Sequence, residues 1–154
     1  MRTCVIHTDG ACLGNPGPGG WAVLIQADTE STTLSGGKPS TTNNRMEMQA
    51  VIAALAHLPE PFEIQLYTDS RYVIDGINDW IHTWSMNNWQ TANRKPVKNK
   101  ELWQELHALT QKHSITWHWV RGHSGDQFNE LVDRLAREEA FKYQVHSDSE
   151  ENLI

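Results

Sequence analysis

The sequence predicts an α/β domain: a five-stranded mixed sheet, made of an antiparallel three-strand meander plus two parallel strands, with helices on both faces. Three observations predict it. Alternating or β-branched runs occur at 5–8, 21–26, 32–35, 64–68 and 115–120. Apolar residues recur at helical spacing in 43–58 and 129–141. Three strands precede the first helix and the rest alternate with helices, an order that suits a meander followed by a crossover back to a parallel neighbour.

Taken in order, Val5 to Thr8 alternates and is rich in β-branched residues, which reads as a strand. Asn15-Pro16-Gly17-Pro18-Gly19-Gly20 reads as a loop. The second and third strands then lie close enough in sequence to form hairpins. Thr42-Asn43-Asn44 offers N-cap chemistry for a helix that Pro59 stops, with Met48, Val51, Ile52 and Leu55 on its apolar stripe. After the fourth strand, 70–76 and 79–84 read as two short helices and 99–112 as a longer one. The last helix, 129–141, turns Leu131, Val132, Leu135 and Ala136 to one side.

The 154 residues suit one domain with one sizeable core. We assign it to 1–145, leaving 146–154 as an acidic, flexible tail, because Asp148, Glu150 and Glu151 stand there without a basic residue. No apolar run approaches the ~20 residues that cross a bilayer, and Met1 to Asp9 reads as a strand, not a leader. A cytoplasmic monomer without membrane contact is expected. Cys4 and Cys12 on one extended segment would be roughly 26 Å apart, far beyond disulfide reach of about 7 Å, so both are expected as free thiols. The net charge of −6 argues against indiscriminate polyanion binding. The stretch 85–100 nevertheless carries Arg94, Lys95, Lys98 and Lys100 with no acid.

Two strands end alike, in Thr8-Asp9-Gly10 and Thr68-Asp69-Ser70. If they are parallel neighbours, both carboxylates lie at the carboxyl edge of the sheet, where open α/β sheets bind ligands. Glu47 and Asp133 sit on the core-facing edges of their helices, where an ionised acid is costly without a partner. A strand-end Asp alone is commonly a turn residue, and a Glu early in a helix commonly complements its dipole. Four at one edge point to a shared divalent cation, magnesium or manganese, because the donor set is all oxygen.

Several long segments carry a family resemblance: Thr8-Asp9-Gly10, Cys12 through Trp21 (CLGNPGPGGW), Thr41-Thr42-Asn43-Asn44-Arg45-Met46-Glu47, Thr68-Asp69-Ser70-Arg71-Tyr72-Val73 and Gly122-His123-Ser124-Gly125. In order and spacing, over about 3–145, the chain resembles bacterial ribonuclease HI. The resemblance implies a ribonuclease H-like fold and hydrolysis of the RNA strand of RNA–DNA hybrids. It implies two magnesium ions, with manganese as a substitute, held by Asp9, Glu47, Asp69 and Asp133 on either side of the scissile phosphate. Products would carry 5′-phosphate and 3′-hydroxyl ends. His123, on a loop beyond the fifth strand, would assist proton transfer or product release.

The 2′-hydroxyl distinguishes RNA from DNA, and the resemblance places Asn15, Asn43, Asn44 and Glu47 against the RNA strand and Thr42 against a DNA phosphate. Trp80, Trp84 and Trp89, with Lys98 in the basic run, resemble the family's basic protrusion, where rings beside cations suit a DNA strand. Trp103, Trp117 and Trp119 are expected in the core. Two departures stand out: Ser85-Met86-Asn87-Asn88 is uncharged where relatives often carry a Lys/Arg cluster, and Arg71 stands where Gln is common. The first weakens the electrostatic handle, and the second adds a candidate phosphate contact. The rival readings are a same-fold nuclease or strand transferase with another nucleic-acid substrate, a phosphate-accepting receiver domain, and a non-catalytic hybrid-binding module. Three strands ahead of the first helix disfavour the receiver, and four intact acids disfavour the module.

Overall fold

Strand β1 (Arg2–Cys12) is the spine of the sheet, paired on both sides. The computed structural model describes residues 1–121 and 126–152. After β1, strands β2 (Gly17–Ala27) and β3 (Glu30–Thr41) complete an antiparallel meander, and helix α1 (Asn43–His57) leads to β4 (Phe62–Thr68), which runs parallel to β1. Next come α2 (Arg71–Asp75), a π-helical turn (Gly76–Trp80), α3 (Ile81–Met86) and α4 (Lys100–Thr110). Strand β5 (Ser114–Trp119) lies parallel to β4, and α5 (Gln127–Asn152) follows. The spatial order is β3-β2-β1-β4-β5. This is the ribonuclease H-like mixed sheet that the sequence predicts.

The period of two along each strand sends neighbouring side chains to opposite faces. Ile6, Val23, Ile25, Ile64 and Leu66 turn to one face and pack with Val51, Ile52 and Leu55 of α1 and Trp103 and Leu106 of α4. Ala22 and Leu24 turn to the other and meet Val132 and Ala136 of α5. Full burial of each large aliphatic or aromatic side chain contributes about 1.5–3 kcal/mol, so the α1 face dominates the core. Beside the smaller cluster a ring ladder crosses three strands in register. His7 stacks on Tyr67 at 4.9 Å and Tyr67 on His118 at 4.5 Å, with Phe128 covering His7 at 5.2 Å. Burial pushes the His7 imidazole below its ordinary range.

The helix start that positions the site has two supports. Thr42 caps α1 by accepting from Arg45 N at 3.3 Å, as its sequence chemistry indicates. Gly10 then lets this end of α1 lie directly on β1, because a methyl group there would run into the backbone of Met46 and Glu47.

The structure also departs from the sequence reading. The strands are longer than their alternating centres, and Gly17–Gly20, expected as loop, belongs to β2. Glycines pair through the backbone and leave no side-chain period to read. The segments expected as two short helices form a continuous run, 71–86, joined by the π turn, where Gly76 admits the Trp103 ring. Helix α5 begins two residues early because Asp126 Oδ1 accepts from Phe128 N at 2.9 Å and Asn129 N at 3.0 Å. It runs on to Asn152, past the expected end at Phe141. Cys4 and Cys12 are free, as expected. Trp103 is fully buried and Trp117 partly so, but Trp119 is 43 % exposed and not a core residue. Among the described residues no helix is long and apolar enough to cross a membrane.

Gly10→Ala should therefore lower unfolding stability by about 1–3 kcal/mol, the usual cost of overpacking. Urea denaturation measures it, and a change below ~0.5 kcal/mol would show that α1 yields freely.

Candidate active site

The parallel ladder between β1 and β4 closes at Thr8 and Thr68, and the next residue on each strand is an aspartate. Asp9 is still within β1, opposite Ala22, and only 2 % exposed. Its Oδ1 accepts from Gly10 N at 2.9 Å. Asp69 occupies the turn from strand to helix. Thr68 Oγ1 accepts from Ser70 N and Ser70 Oγ from Val73 N, each at 3.1 Å, so the peptides around Asp69 are tied on both sides. Glu47, 4 % exposed, reaches the same edge from the first turns of α1.

Asp9, Glu47 and Asp69 each offer a carboxylate oxygen, and the three oxygens lie within 4.8 Å of one another. Ionised together, two such groups repel by about 3–4 kcal/mol at an effective dielectric near 20. Burial, then the charge of Asp69, pushes Asp9 up to about 8. Burial and the charges of Asp9 and Asp69 push Glu47 well above the carboxylate range. Glu47 Oε2 is buried without a hydrogen-bond partner. An orphaned oxygen inside an all-oxygen cluster fits a hard divalent cation such as magnesium or manganese.

Asp133 stands at the margin of this group. Its charge bears on Asp9, but its Oδ2 accepts from Arg137, Nε at 3.1 Å and the nearer terminal nitrogen at 3.0 Å. His123 falls outside the described residues.

The candidate substrate residues form two flanks. On one, Asn15 Oδ1 accepts from Asn43 N at 3.1 Å and ties the β1–β2 loop to the start of α1, beside Thr42 and Asn44. On the other, Trp80, Trp84 and Lys98 line a cleft of about 300 Å³ with Tyr72, Thr91 and Val97. Trp89 does not line this cleft and stands edge-on to His107, centroids 5.9 Å apart. Arg71 is exposed and lies over the Trp119 ring, 5.2 Å from its centroid.

Sequence reasoning missed the connection between the flanks. Arg45 donates to Asn99 Oδ1 at 3.0 Å and pairs with Glu101 at 2.6 Å. Asn99, in the left-handed conformation that Asn tolerates (φ 60°), donates to the Tyr72 hydroxyl at 3.0 Å, which also accepts from Trp103 Nε1 at 3.2 Å. Residues 54 apart in sequence leave no local signal of such a link.

The sequence pattern of the RNase H family matches residues 1–141. The chain belongs to the RNase H family. It is 52% identical over 147 residues to ribonuclease H of Rhodopseudomonas palustris (strain BisB5), covering 96% of this chain and 98% of that one. With ribonuclease H of Xanthomonas oryzae pv. oryzae (strain MAFF 311018) it shares 56% identity over 140 residues, 91% of this chain and 93% of the relative. The chain is therefore an RNase H enzyme. Among solved structures it is similar to LC9-RNase H1, a type 1 RNase H with the type 2 active-site motif, with TM-score 0.83, 32% identity, and coverage of 93% of this chain and 74% of that one. The fold also matches LC11-RNase H1, solved in complex with an RNA/DNA hybrid, with TM-score 0.66, 22% identity, and coverage of 91% and 98%.

A raised acid makes the RNase H fold sensitive to alkali when no cation is bound. Folded Asp9 holds a proton up to about pH 8, whereas the unfolded side chain, with its ordinary value of 3.8, has lost it. The folded state thus binds more protons across that window, and stability falls as pH rises through it. In chelator, the unfolding temperature should fall from pH 5.5 to 8.5 by several degrees more in the native protein than in Asp9→Asn, because each pH unit below the folded value corresponds to about 1.4 kcal/mol, roughly 3–5 °C for this size. Magnesium should restore the loss at pH 8.5. Parallel curves for the two proteins would show that Asp9 carries no such strain.

Proposed function

We propose that the chain is an endonuclease that hydrolyses the RNA strand of RNA–DNA hybrids, acting as a cytoplasmic monomer. The observation that carries this reading is the group of buried Asp9 and Glu47 with half-buried Asp69, whose oxygens converge within 4.8 Å while Glu47 Oε2 lacks a hydrogen-bond partner. These three, with Asp133 at the margin, would hold two magnesium ions, or manganese in their place. Bound there, the ions supply the Lewis acidity that activates water and stabilises the leaving 3′ oxygen, giving 5′-phosphate and 3′-hydroxyl ends. Support for the hybrid as substrate comes from the RNase H relatives and from LC11-RNase H1, which was solved with an RNA/DNA hybrid.

The chain's own residues then have separable tasks. Asp9, held within β1 where its ladder to β4 closes, and Asp69, in the turn after β4, set where cations would sit beside the scissile phosphate. Glu47 reaches the cluster from α1 and accepts from the 2′-hydroxyl nearby, while Asn15, Asn43 and Asn44 read further 2′-hydroxyls with amides that donate and accept. Arg137 holds Asp133 in place. Thr42 contacts a phosphate of the DNA strand, which passes to the cleft of Trp80, Trp84 and Lys98, with Trp89 contacting the same strand and Arg71 adding a phosphate contact. His123 relays a proton or eases product departure.

Labelled RNA–DNA hybrid, duplex RNA and duplex DNA, each incubated with magnesium or chelator, provide the test. Only the hybrid with magnesium should be cut, and cleavage of duplex DNA at a comparable rate would overturn the assignment. Asp9→Asn and Asp69→Asn should reduce cleavage to the chelator background while staying folded. His123→Ala should slow turnover without ending it.

The cleft makes a separate, quantitative prediction. Trp84→Ala should weaken hybrid binding by about 1–3 kcal/mol, the usual contribution of one base–aromatic stack, with little loss at saturating substrate. Lys98→Ala should lower the salt slope of binding by about one unit. Binding isotherms at several salt concentrations measure both.

A further inference from the structure

Resting on the reading above, we propose that Trp119 is a positioning residue for Asp69: its indole N–H holds the Asp69 peptide, and its ring carries Arg71 at the edge of the site. The β4–β5 ladder ends at Thr68 and Trp119, where Val120 N still donates to Thr68 O at 2.9 Å. The next carbonyl along β4 belongs to Asp69, and there the side chain of Trp119 takes over, Nε1 donating to Asp69 O at 3.1 Å. The sheet is thus extended by one hydrogen bond beyond its last strand pair. This bond goes to the backbone of Asp69 and leaves the carboxylate oxygens free for a cation.

A tryptophan 43 % exposed contributes little to a core, so packing does not explain its position. Its two surfaces are both in use. The polar edge meets Asp69, and the face lies under the Arg71 guanidinium, 5.2 Å from the ring centroid. Arg71 also approaches Asp75, but only to 3.8 Å. The ring therefore keeps this cation beside Asp69. One side chain links the direction of a metal-facing acid to the place of a substrate-facing cation.

Two variants separate these tasks, because Trp119→Phe removes only the N–H whereas Trp119→Ala removes the ring as well. Magnesium affinity is measured by titration calorimetry without nucleic acid, and kcat and KM are measured on the hybrid. Trp119→Phe should weaken magnesium binding and lower kcat by about 2- to 10-fold, the range of one hydrogen bond, while KM and the unfolding temperature stay near those of the native protein. Trp119→Ala should add a rise in KM of about 2- to 5-fold from the loosened Arg71. Native magnesium affinity and kcat in Trp119→Phe would overturn the proposal. So would a lowered unfolding temperature with equal losses in every parameter, which is the mark of a merely structural role. If the native protein fails to cut the hybrid, the functional reading falls, while the calorimetry still decides the part of Trp119.

Discussion

Crowding of negative charge is the constraint on which the rest of this structure depends. Asp9 and Glu47 are almost fully buried, and with Asp69 they bring carboxylate oxygens within 4.8 Å of one another. Burial and mutual repulsion act in the same direction on Asp9 and Glu47, favouring their protonated forms. No lysine or arginine side chain bonds to any of the three among the described residues. The fold tolerates an arrangement that costs it stability, and positively charged ligands are what such an arrangement attracts.

Holding the acids there falls to backbone features remote from acid chemistry. A parallel ladder that closes in register at Thr8 and Thr68 puts Asp9 beside Asp69. A glycine after Asp9 removes the side chain that would keep α1 away, so Glu47 arrives from a different element. On the far face, a methyl group on Gly20 would run into the backbone of Ala136 and Ala140, so close approach of α5 to β2 has the same origin and sets Asp133 at the margin. Small residues set the distances, and large ones in two unequal cores fix them.

Much of this was legible in the sequence because the acids sit on recognisable strands and helices. Thr68-Asp69-Ser70 marks a strand end by its composition, and Thr42 caps α1 as its side chain allows, whereas Thr8-Asp9-Gly10, expected as a strand end, lies within β1, which runs on to Cys12 in its pairing with β2. The parts that were not legible share a physical cause: they depend on contacts between residues distant in sequence, or on backbone pairing without a side-chain period. Glycines 17, 19 and 20 pair as strand while reading as loop. Trp119 reads as core by its type and its strand, yet it is the last residue of β5 and remains exposed. Asp126 caps α5 so that it starts two residues before the expected position, where Phe128 extends the stripe of Leu131, Val132 and Leu135 by less than one turn. Arg45 and Asn99 meet only in the folded chain.

That last contact gives the molecule a mechanical property. Arg45 belongs to the helix that carries Glu47, and Asn99 passes the connection to Tyr72, which lines the aromatic cleft. Every joint in the chain is a hydrogen bond or ion pair between side chains that are at least partly shielded at one end, and Trp103 anchors it in the core. The helix that carries Glu47 and the aromatic cleft are therefore joined by an unbroken path of side-chain bonds, so a shift of either one is felt by the other.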